Sequence, residues 1–447
     1  MQVLLYCPYY RLILMLKFEN SGLKAGSEWD VSSDCLDVAM IKKIKVEHTV
    51  IGMYVSQLDR PWLETPFLSH KFAITDAKQI EQLREFCTFV YIDTEKGLDL
   101  QGLKPTIPQP TATPSAAPEK DPKPTRPAAP RPISLPDAGN FRRAMAVHDQ
   151  AKTVITSILN DIRIGRSINT SEAKKSVTSM IGSLLDDNNA LLCLTKLKSH
   201  DEYTVSHSIN VSILALAFGR HLQLNPEKLE VLGLGALLHD IGKMKIPTEV
   251  LNKPGKLTDP EFEIMKSHVL LALEVLENTS GFPPEARDVV IQHHEKLSGK
   301  GYPYGLKNGQ ISLFGKLLAI VDVYDAMTTD RVYRRATPPH ESIKWIYEWS
   351  SKDFELELVE HFIKTIGIFP IGSQVEINRQ SIGLVISNNP ENAMKPSVLL
   401  LYDDQKQKYR PPRMIDLTEK DIFSNKNRWS ITKVFGPMEK ASFESFW

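Results

Sequence analysis

Only 12 histidines occur in this 447-residue chain, yet His200, His207, His239, His268, His293 and His294 all fall within one third of its length. They are accompanied by a His-Asp pair at 239–240, a His-His pair at 293–294 and the run DVYDA at 322–326. Taken singly, a histidine on an apolar helix is most often a core residue satisfied by a hydrogen bond. A group of them is harder to bury, because each unpartnered titratable group costs several kcal/mol. Either the groups are exposed or a shared positive partner offsets that cost, and a metal centre is such a partner. Imidazole nitrogen mixed with carboxylate oxygen, without thiolate, suits iron, manganese, nickel or zinc in an open catalytic site rather than a closed structural zinc. A carboxylate can bridge two cations through its two oxygens, and Asp240 has the right neighbour for that role. Two metals roughly 3.5–4 Å apart can share one hydroxide, lower the pKa of its parent water and stabilise both the attacking and the leaving oxygen at phosphorus. Phosphoester hydrolysis is the chemistry such a site suits.

These residues need helices to position them. Helical periodicity begins at about Phe141 and persists to about Ile366. One helix reads in detail: Asn225 can cap, Pro226 suits the first turn, Leu229, Leu232, Ala236 and Leu237 recur at helical spacing, and Gly242 can end it. It delivers His239 and Asp240 at its C-terminal end. His293 and His294, being adjacent, need a helix end or a local bend to reach one metal together. Lys243 follows the dyad by one helical turn and can offer a cation to a phosphate oxygen or to a departing oxygen. Its alternative is a solvated lysine at a helix terminus. Asp325 shares a helix face with Asp322, where it either orients a ligand or is structural.

On either side of the helical part the pattern changes. From Lys42 to Ile92 short alternating runs (IKKIKV, GMYVSQL, FVYI) surround one charged helical stretch, Asp76 to Phe86, which predicts a small α/β or β-rich domain. Between Lys104 and Pro136 proline recurs every few residues, a composition for a semi-rigid linker or a proline-rich partner motif. After Phe369, GSQVEI, IGLVIS and SVLLLY read as strands joined by polar turns such as SNNPEN. The expected fold is therefore mainly α: a leader over 1–39, a small domain over 40–100, a linker over 101–139, an all-helical catalytic domain over 140–369 and a β-rich extension over 370–447. The apolar run Val3 to Phe18 is interrupted by Pro8 and Arg11 and is too short for a spanning helix, which needs about 20 apolar residues. Residues 1–39 have no clear period, whereas an orderly domain begins at Met40; a non-native or disordered leader is expected there, with a membrane-associated tail as the alternative.

Composition sets the outer limits. Lys+Arg and Asp+Glu are equal at 54 each, so no global field draws the chain to DNA or to an anionic membrane, and an anionic ligand must be held by a local site. The four cysteines, Cys7, Cys35, Cys87 and Cys193, show no CxxC pairing, which fits a reducing cytoplasm.

The motifs HSINV from His207, HDIGK from His239, the lone His268, HHEKLSGKGYP from His293 and DVYDAMTTDRVYR from Asp322 resemble the HD-GYP phosphodiesterases, bacterial enzymes of the HD phosphohydrolase superfamily that degrade cyclic di-GMP. The resemblance covers roughly Leu192 to Phe369, and Met40 to Ile92 is similar to the uncharacterised region that often precedes this domain. It implies an all-helical domain with a binuclear centre of divalent transition metals, iron or manganese first and nickel or zinc after them. Its ligands are then His207, His239, Asp240, His268, His293, His294 and Asp322, with Asp240 bridging and catalytic together with Lys243. Gly299, Gly301, Tyr302 and Pro303 carry the GYP signature, in which glycines let the backbone approach a ligand and Tyr302 offers a ring face or a hydroxyl. Arg331 and Arg334 resemble the family's phosphate-gripping residues, although a DRVYRR string alone is more often a solvated helix end.

Two positions depart from the family. Tyr203 stands where some relatives place a third-metal glutamate, which favours two metals. Ser298 replaces the usual aspartate before the first loop glycine, removing a charge from the substrate loop. The implied substrate is cyclic di-GMP, cut to linear pGpG and/or GMP, with 3′,3′-cyclic GMP-AMP as the alternative. A catalytically silent cyclic-dinucleotide receptor and a general nucleotide phosphohydrolase are rivals from other classes. The resemblance also implies cyclic-dinucleotide synthases as partners, engaged through the GYP loop.

Overall fold

The computed structural model describes residues 41–60, 71–99, 138–198, 203–330, 336–350, 352–389, 392–419 and 428–435, with a few shorter stretches besides. The chain divides into two compact units, Met1–Pro132 and Ile133–Trp447. The proline-rich segment and most of residues 1–39 lie outside the described residues.

In the first unit, β1 (Val3–Leu5) pairs antiparallel with β2 (Leu14–Leu16). The strands β3 (Ile41–Lys45), β4 (Tyr54–Leu58), β5 (Phe72–Ala73) and β6 (Phe89–Asp93) form an antiparallel sheet in the order β3-β6-β4-β5. Alternation along β6 buries Val90 and Ile92, which join Met53, Val55, Leu58 and Ile74 in the core. The helix α1 (Ala77–Phe86) adds Leu83 to that core and starts at a capping box: Asp76 accepts from Gln79 N at 2.9 Å while the Gln79 side chain accepts from Asp76 N at 3.3 Å. The unit is α/β, as the alternating runs predict.

The second unit opens with helices α2 (Ala138–Arg163), α3 (Thr170–Asp186) and α4 (Asn188–Leu194), then β7 (Leu197–Lys198). It continues through α5 (Tyr203–His221), α6 (Pro226–Leu238), α7 (Thr248–Leu251), α8 (Asp259–Lys266), α9 (His268–Glu277), α10 (Pro284–Gln292), α11 (Leu313–Thr328), α12 (Pro339–Trp349) and α13 (Leu356–Ile366). The central helix is α5, apolar on every side and buried continuously from His207 to Gly219, with α6 and α11 packed against it. Asn225 caps α6 by accepting from Lys228 N at 2.9 Å, and Leu229, Leu232, Ala236 and Leu237 are buried as their spacing predicts.

The helix α6 ends at Leu238, earlier than Gly242, and a short 3-10 turn, Ile241–Lys245, follows. Gly242 serves another purpose: a Cβ there would lie 1.9 Å from His268 O and 2.6 Å from Ala272 N, so only glycine lets this turn touch the start of α9.

The C-terminal part is a five-stranded antiparallel sheet, in the order β11-β10-β9-β8-β12, made of β8 (Gln374–Ile377), β9 (Ser381–Ser387), β10 (Ser397–Tyr402), β11 (Lys408–Asp416) and β12 (Ile431–Val434). Its core includes Val375, Ile377, Val385, Val398, Leu400 and Ile415. A last strand, β13 (Met438–Glu439), pairs parallel with β7.

Candidate metal centre

Five elements meet at one buried point. His207 projects from the second turn of α5, His239 caps the end of α6 with Asp240 beside it, and His268 begins α9. His293 caps the end of α10, followed by His294, and Asp322 comes from the middle of α11. Helix ends thus deliver both adjacent pairs. Six of these side chains are buried, and that of His294 is 23% exposed.

The seven residues form two sets of three with Asp240 between them. In one, His207, His239 and Asp322 bring ligand atoms within 4.8 Å of one another; in the other, His268, His293 and His294 do the same. Asp240 turns one oxygen to each: Oδ2 lies 3.3 Å from His239 Nε2 and 3.5 Å from His207 Nε2, and Oδ1 lies 3.4 Å from His268 Nε2 and 4.0 Å from His293 Nε2. Asp322 spans the sets as well, with Oδ1 3.0 Å from His207 Nε2 and Oδ2 3.7 Å from His294 Nδ1.

Local backbone fixes how the imidazoles face. His239 Nδ1 is 2.8 Å from Ala236 O, His268 Nδ1 is 2.7 Å from Met265 O, and His293 Nδ1 is 2.6 Å from Val290 O. Each ring donates Nδ1–H to the carbonyl three residues earlier, which leaves the Nε2 lone pair aimed into the cluster. His207 is held the same way by a carboxylate, Asp325 Oδ2 at 2.7 Å from Nδ1. Its ring also stacks on Tyr203, with centroids 5.4 Å apart.

Nε2 of His239, His268 and His293 and Oδ1 of Asp240 are buried without a hydrogen-bond partner. Unsatisfied buried polar atoms cost about 1–3 kcal/mol each, and four of them converging on one point fit a bound cation. Charge states at Asp240, Asp322, His268, His293 and His294 agree with that fit, whereas His207 must release a proton to ligate. Burial brings His268 down to about 4 and His294 down to about 3, and it holds His293 well below the usual imidazole range. For His207 burial is outweighed by hydrogen bonds with Asp322 and Asp325, which raise it to about 9. Asp240 and Asp322 stay well below the usual carboxylate range: burial opposes ionisation, but the surrounding imidazoles overcome it, joined by Lys243 at Asp240. Ionised carboxylates and neutral imidazoles are the forms that bind metals.

Lys243 donates to Asp240 Oδ2, its side chain 18% exposed at the edge of the cluster. The GYP loop closes one side. The Tyr302 ring lies 4.6 Å from that of His294 and 6.4 Å from that of His268, and Tyr302 N donates to His294 O at 3.2 Å. A Cβ on Gly301 would stand 2.4 Å from Glu295 Cα and 2.6 Å from His294 O, so the close approach there requires glycine. Pro303 follows Tyr302 in the loop. Arg331 and Arg334 lie outside the described residues.

Family models match three stretches: a domain of unknown function (DUF3391) at residues 41–173, an HD domain at 191–355 and a KOW domain associated with HD domain at 374–426. A cyclic di-GMP phosphodiesterase of Pseudomonas aeruginosa is 36% identical over 380 residues, which cover 85% of this chain and 89% of that protein. The chain belongs to the HD-GYP phosphodiesterases. Shorter matches include a cyclic di-GMP phosphodiesterase of Vibrio cholerae, 37% identical over 39% of this chain and 38% of that protein. A 3′3′-cGAMP-specific phosphodiesterase of the same organism is 32% identical over 38% of this chain and 36% of that protein. A solved HDGYP protein from Bdellovibrio bacteriovorus aligns at 16% identity with a TM-score of 0.43, covering 72% of this chain and 98% of that one.

Within the HD-GYP domain the structure adds residues that the sequence reading missed. Glu295, 2% exposed, accepts from Tyr304 N at 2.8 Å and Leu306 N at 2.9 Å and so ties the loop shut from inside. Its position directly after the His-His pair was a usable signal. Lys196 is buried beside Asp325, donating to Thr328 Oγ1 at 3.0 Å with its ammonium 4.3 Å from the Tyr324 ring; burial brings it down to about 8. A lone lysine in the apolar run LLCLTKL pointed to it. Among the described residues of this HD-GYP chain, no helix is long and apolar enough to cross a membrane.

Proposed function

We propose that this protein hydrolyses a phosphodiester bond of a cyclic dinucleotide, with cyclic di-GMP as substrate and linear pGpG and/or GMP as products. One observation carries the reading: the two oxygens of Asp240 face two separate sets of three ligands, an arrangement suited to a pair of divalent cations. His207, His239 and Asp322 would hold one cation, His268, His293 and His294 the other, and Asp240 would contribute an oxygen to each. Iron or manganese is the expected pair, with nickel or zinc also compatible with these donors. Such cations lower the cost of ionising water near pH 7 and stabilise charge on phosphoryl oxygens.

The chain's own groups supply the rest. Water oxygen forms the new bond to phosphorus, the 3′-oxygen leaves with a proton, and a 5′-phosphorylated linear dinucleotide results. Lys243, now on Asp240 Oδ2, is within a side-chain rotation of the space beside the cluster and can stabilise the departing oxygen. Asp325 and the three backbone carbonyls hold the imidazoles in their ligating tautomers. Gly301 and Tyr302 offer backbone and a ring face to the nucleotide, and Arg331 and Arg334 would grip its phosphates. We place the reaction in the cytoplasm, where cyclic dinucleotides act as messengers.

Ser298 favours a second reading, in which 3′,3′-cyclic GMP-AMP is preferred, since the loop lacks the usual acid at that position. The test is purification with manganese or ferrous iron, metal analysis, and product analysis on both cyclic dinucleotides and a mononucleotide. Turnover of a cyclic dinucleotide with about two metals per chain supports the proposal. A metal-loaded protein that cleaves neither cyclic dinucleotide sinks it.

A further inference from the structure

The GYP loop is rich in cations. Lys296, Lys300 and Lys307 lie along it, and its one acid, Glu295, is buried and spent on the Tyr304 and Leu306 amides. The loop therefore has no acid of its own free to pair with these lysines. Asp353, in the turn between α12 and α13, supplies a carboxylate from outside it. Lys296 Nζ donates to its Oδ2 at 2.9 Å, and Ser298 Oγ donates to its Oδ1 at 3.3 Å. Leu297 N donates to the Asp353 main-chain oxygen at 3.2 Å. Three consecutive loop residues therefore rest on one aspartate whose side chain is only 18% exposed.

The turn also holds the far end of the loop. Lys316 Nζ reaches Glu355 Oε2 at 2.7 Å and Asn308 Oδ1 at 2.8 Å. Between these anchors the loop is stitched by Gly299 N donating to Lys296 O at 2.8 Å and by the Ser298–Lys307 bridge. Movement at 296–298 is thereby passed to Gly301 and Tyr302, which lean on His294.

We infer that Asp353 is a positioning residue for substrate: it fixes the base of the GYP loop from outside, supplying the negative charge that Ser298 does not carry. The inference rests on the proposed phosphodiesterase only for its kinetic consequence; loop placement itself is independent of substrate. Asp353→Ser removes the charge, and the reciprocal exchange, Ser298→Asp with Asp353→Ser, returns a carboxylate and a hydroxyl to the same contact with their places reversed.

The test compares the manganese-loaded parent, Asp353→Ser and the double variant by hydrogen exchange, metal content and steady-state kinetics on cyclic di-GMP. Asp353→Ser is expected to speed amide exchange across residues 297–306 about tenfold and raise KM about tenfold, with kcat changed less than about threefold, because ground-state placement is what is lost. Metal content stays at the parent's value, and the double variant recovers most of both losses. Parent-like exchange in Asp353→Ser would overturn the inference, as would a loss of metal and kcat that the reciprocal exchange does not repair. If the parent cleaves no cyclic dinucleotide, the proposed function fails on that arm while the exchange data still decide the role of Asp353.

Discussion

Replacing Asp325 by asparagine isolates one set of ligands from the other. Asp325 is fully buried, and its Oδ2 accepts from His207 Nδ1 at 2.7 Å, a charge-assisted bond that fixes the ring and raises its basicity. Asparagine can occupy the same volume and still accept from the ring, but without the charge. A hydrogen bond to a charged group is worth about 1.5–3 kcal/mol and a neutral one about 0.5–1.5, so the loss is about 1–1.5 kcal/mol, which at about 1.4 kcal/mol per tenfold corresponds to about 5–12-fold weaker metal binding at His207, His239 and Asp322. The set His268, His293 and His294 makes no contact with Asp325 through its ring nitrogens and should keep its affinity. Metal titration with elemental analysis after graded chelation reads the outcome directly: Asp325→Asn should lose one metal at a lower chelator strength than the parent does and the other at the parent's chelator strength. Equal retention of both metals in the variant would refute the reasoning, because His207 would then need no support from behind.

Other outcomes follow from the same geometry. Asp240→Ala removes the carboxylate that turns one oxygen to each set and should abolish metal binding and turnover together; retained activity would contradict the bridging role. Gly301→Ala puts a Cβ 2.4 Å from Glu295 Cα, so the loop must shift; KM should rise about tenfold or more at unchanged metal content. Far from the cluster, His221 and His361 face each other at 3.2 Å, and burial followed by repulsion from His361 and Lys364 brings His221 down to about 4. Burial lowers His361 as well, and Glu357 and Glu360 offset part of that. Folded imidazoles that resist protonation contribute stability that is present above the unfolded value near 6.5 and lost as pH falls towards 4. Thermal melts of chelator-treated protein should therefore show the parent losing about 1–2 kcal/mol more than His221→Gln between pH 7 and pH 5, a figure reduced for the partial exposure of both rings.

The sequence carried the site further than it carried the scaffold's details. Histidines and aspartates crowded into one apolar helical third marked the cluster, and the family resemblance supplied the seven candidate ligands that the fold brings together; the Asn225–Pro226 start of α6 was readable because capping chemistry is local. The end of α6 was not, since Gly242 answers to the backbone of α9, a neighbour distant in sequence. Strand β11 was hidden by Pro411 and Pro412, which argue against a strand; it lies at the sheet edge, where missing donors are tolerated. Ser298 read as a lost charge, and its partner Asp353 was invisible because it stands 55 positions further on and nothing between them marks the pairing.

The carbonyls that steady His239, His268 and His293 belong to the main chain of Ala236, Met265 and Val290. Their grip on the rings does not depend on which side chains occupy those three places. Packing alone governs the choice there, so a library randomised to apolar residues at 236, 265 and 290 should yield many folded proteins that still take up metal. The orientation of the imidazoles is inherited from the helix ends themselves, which makes this half of the architecture tolerant to drift where the Asp325 half is not.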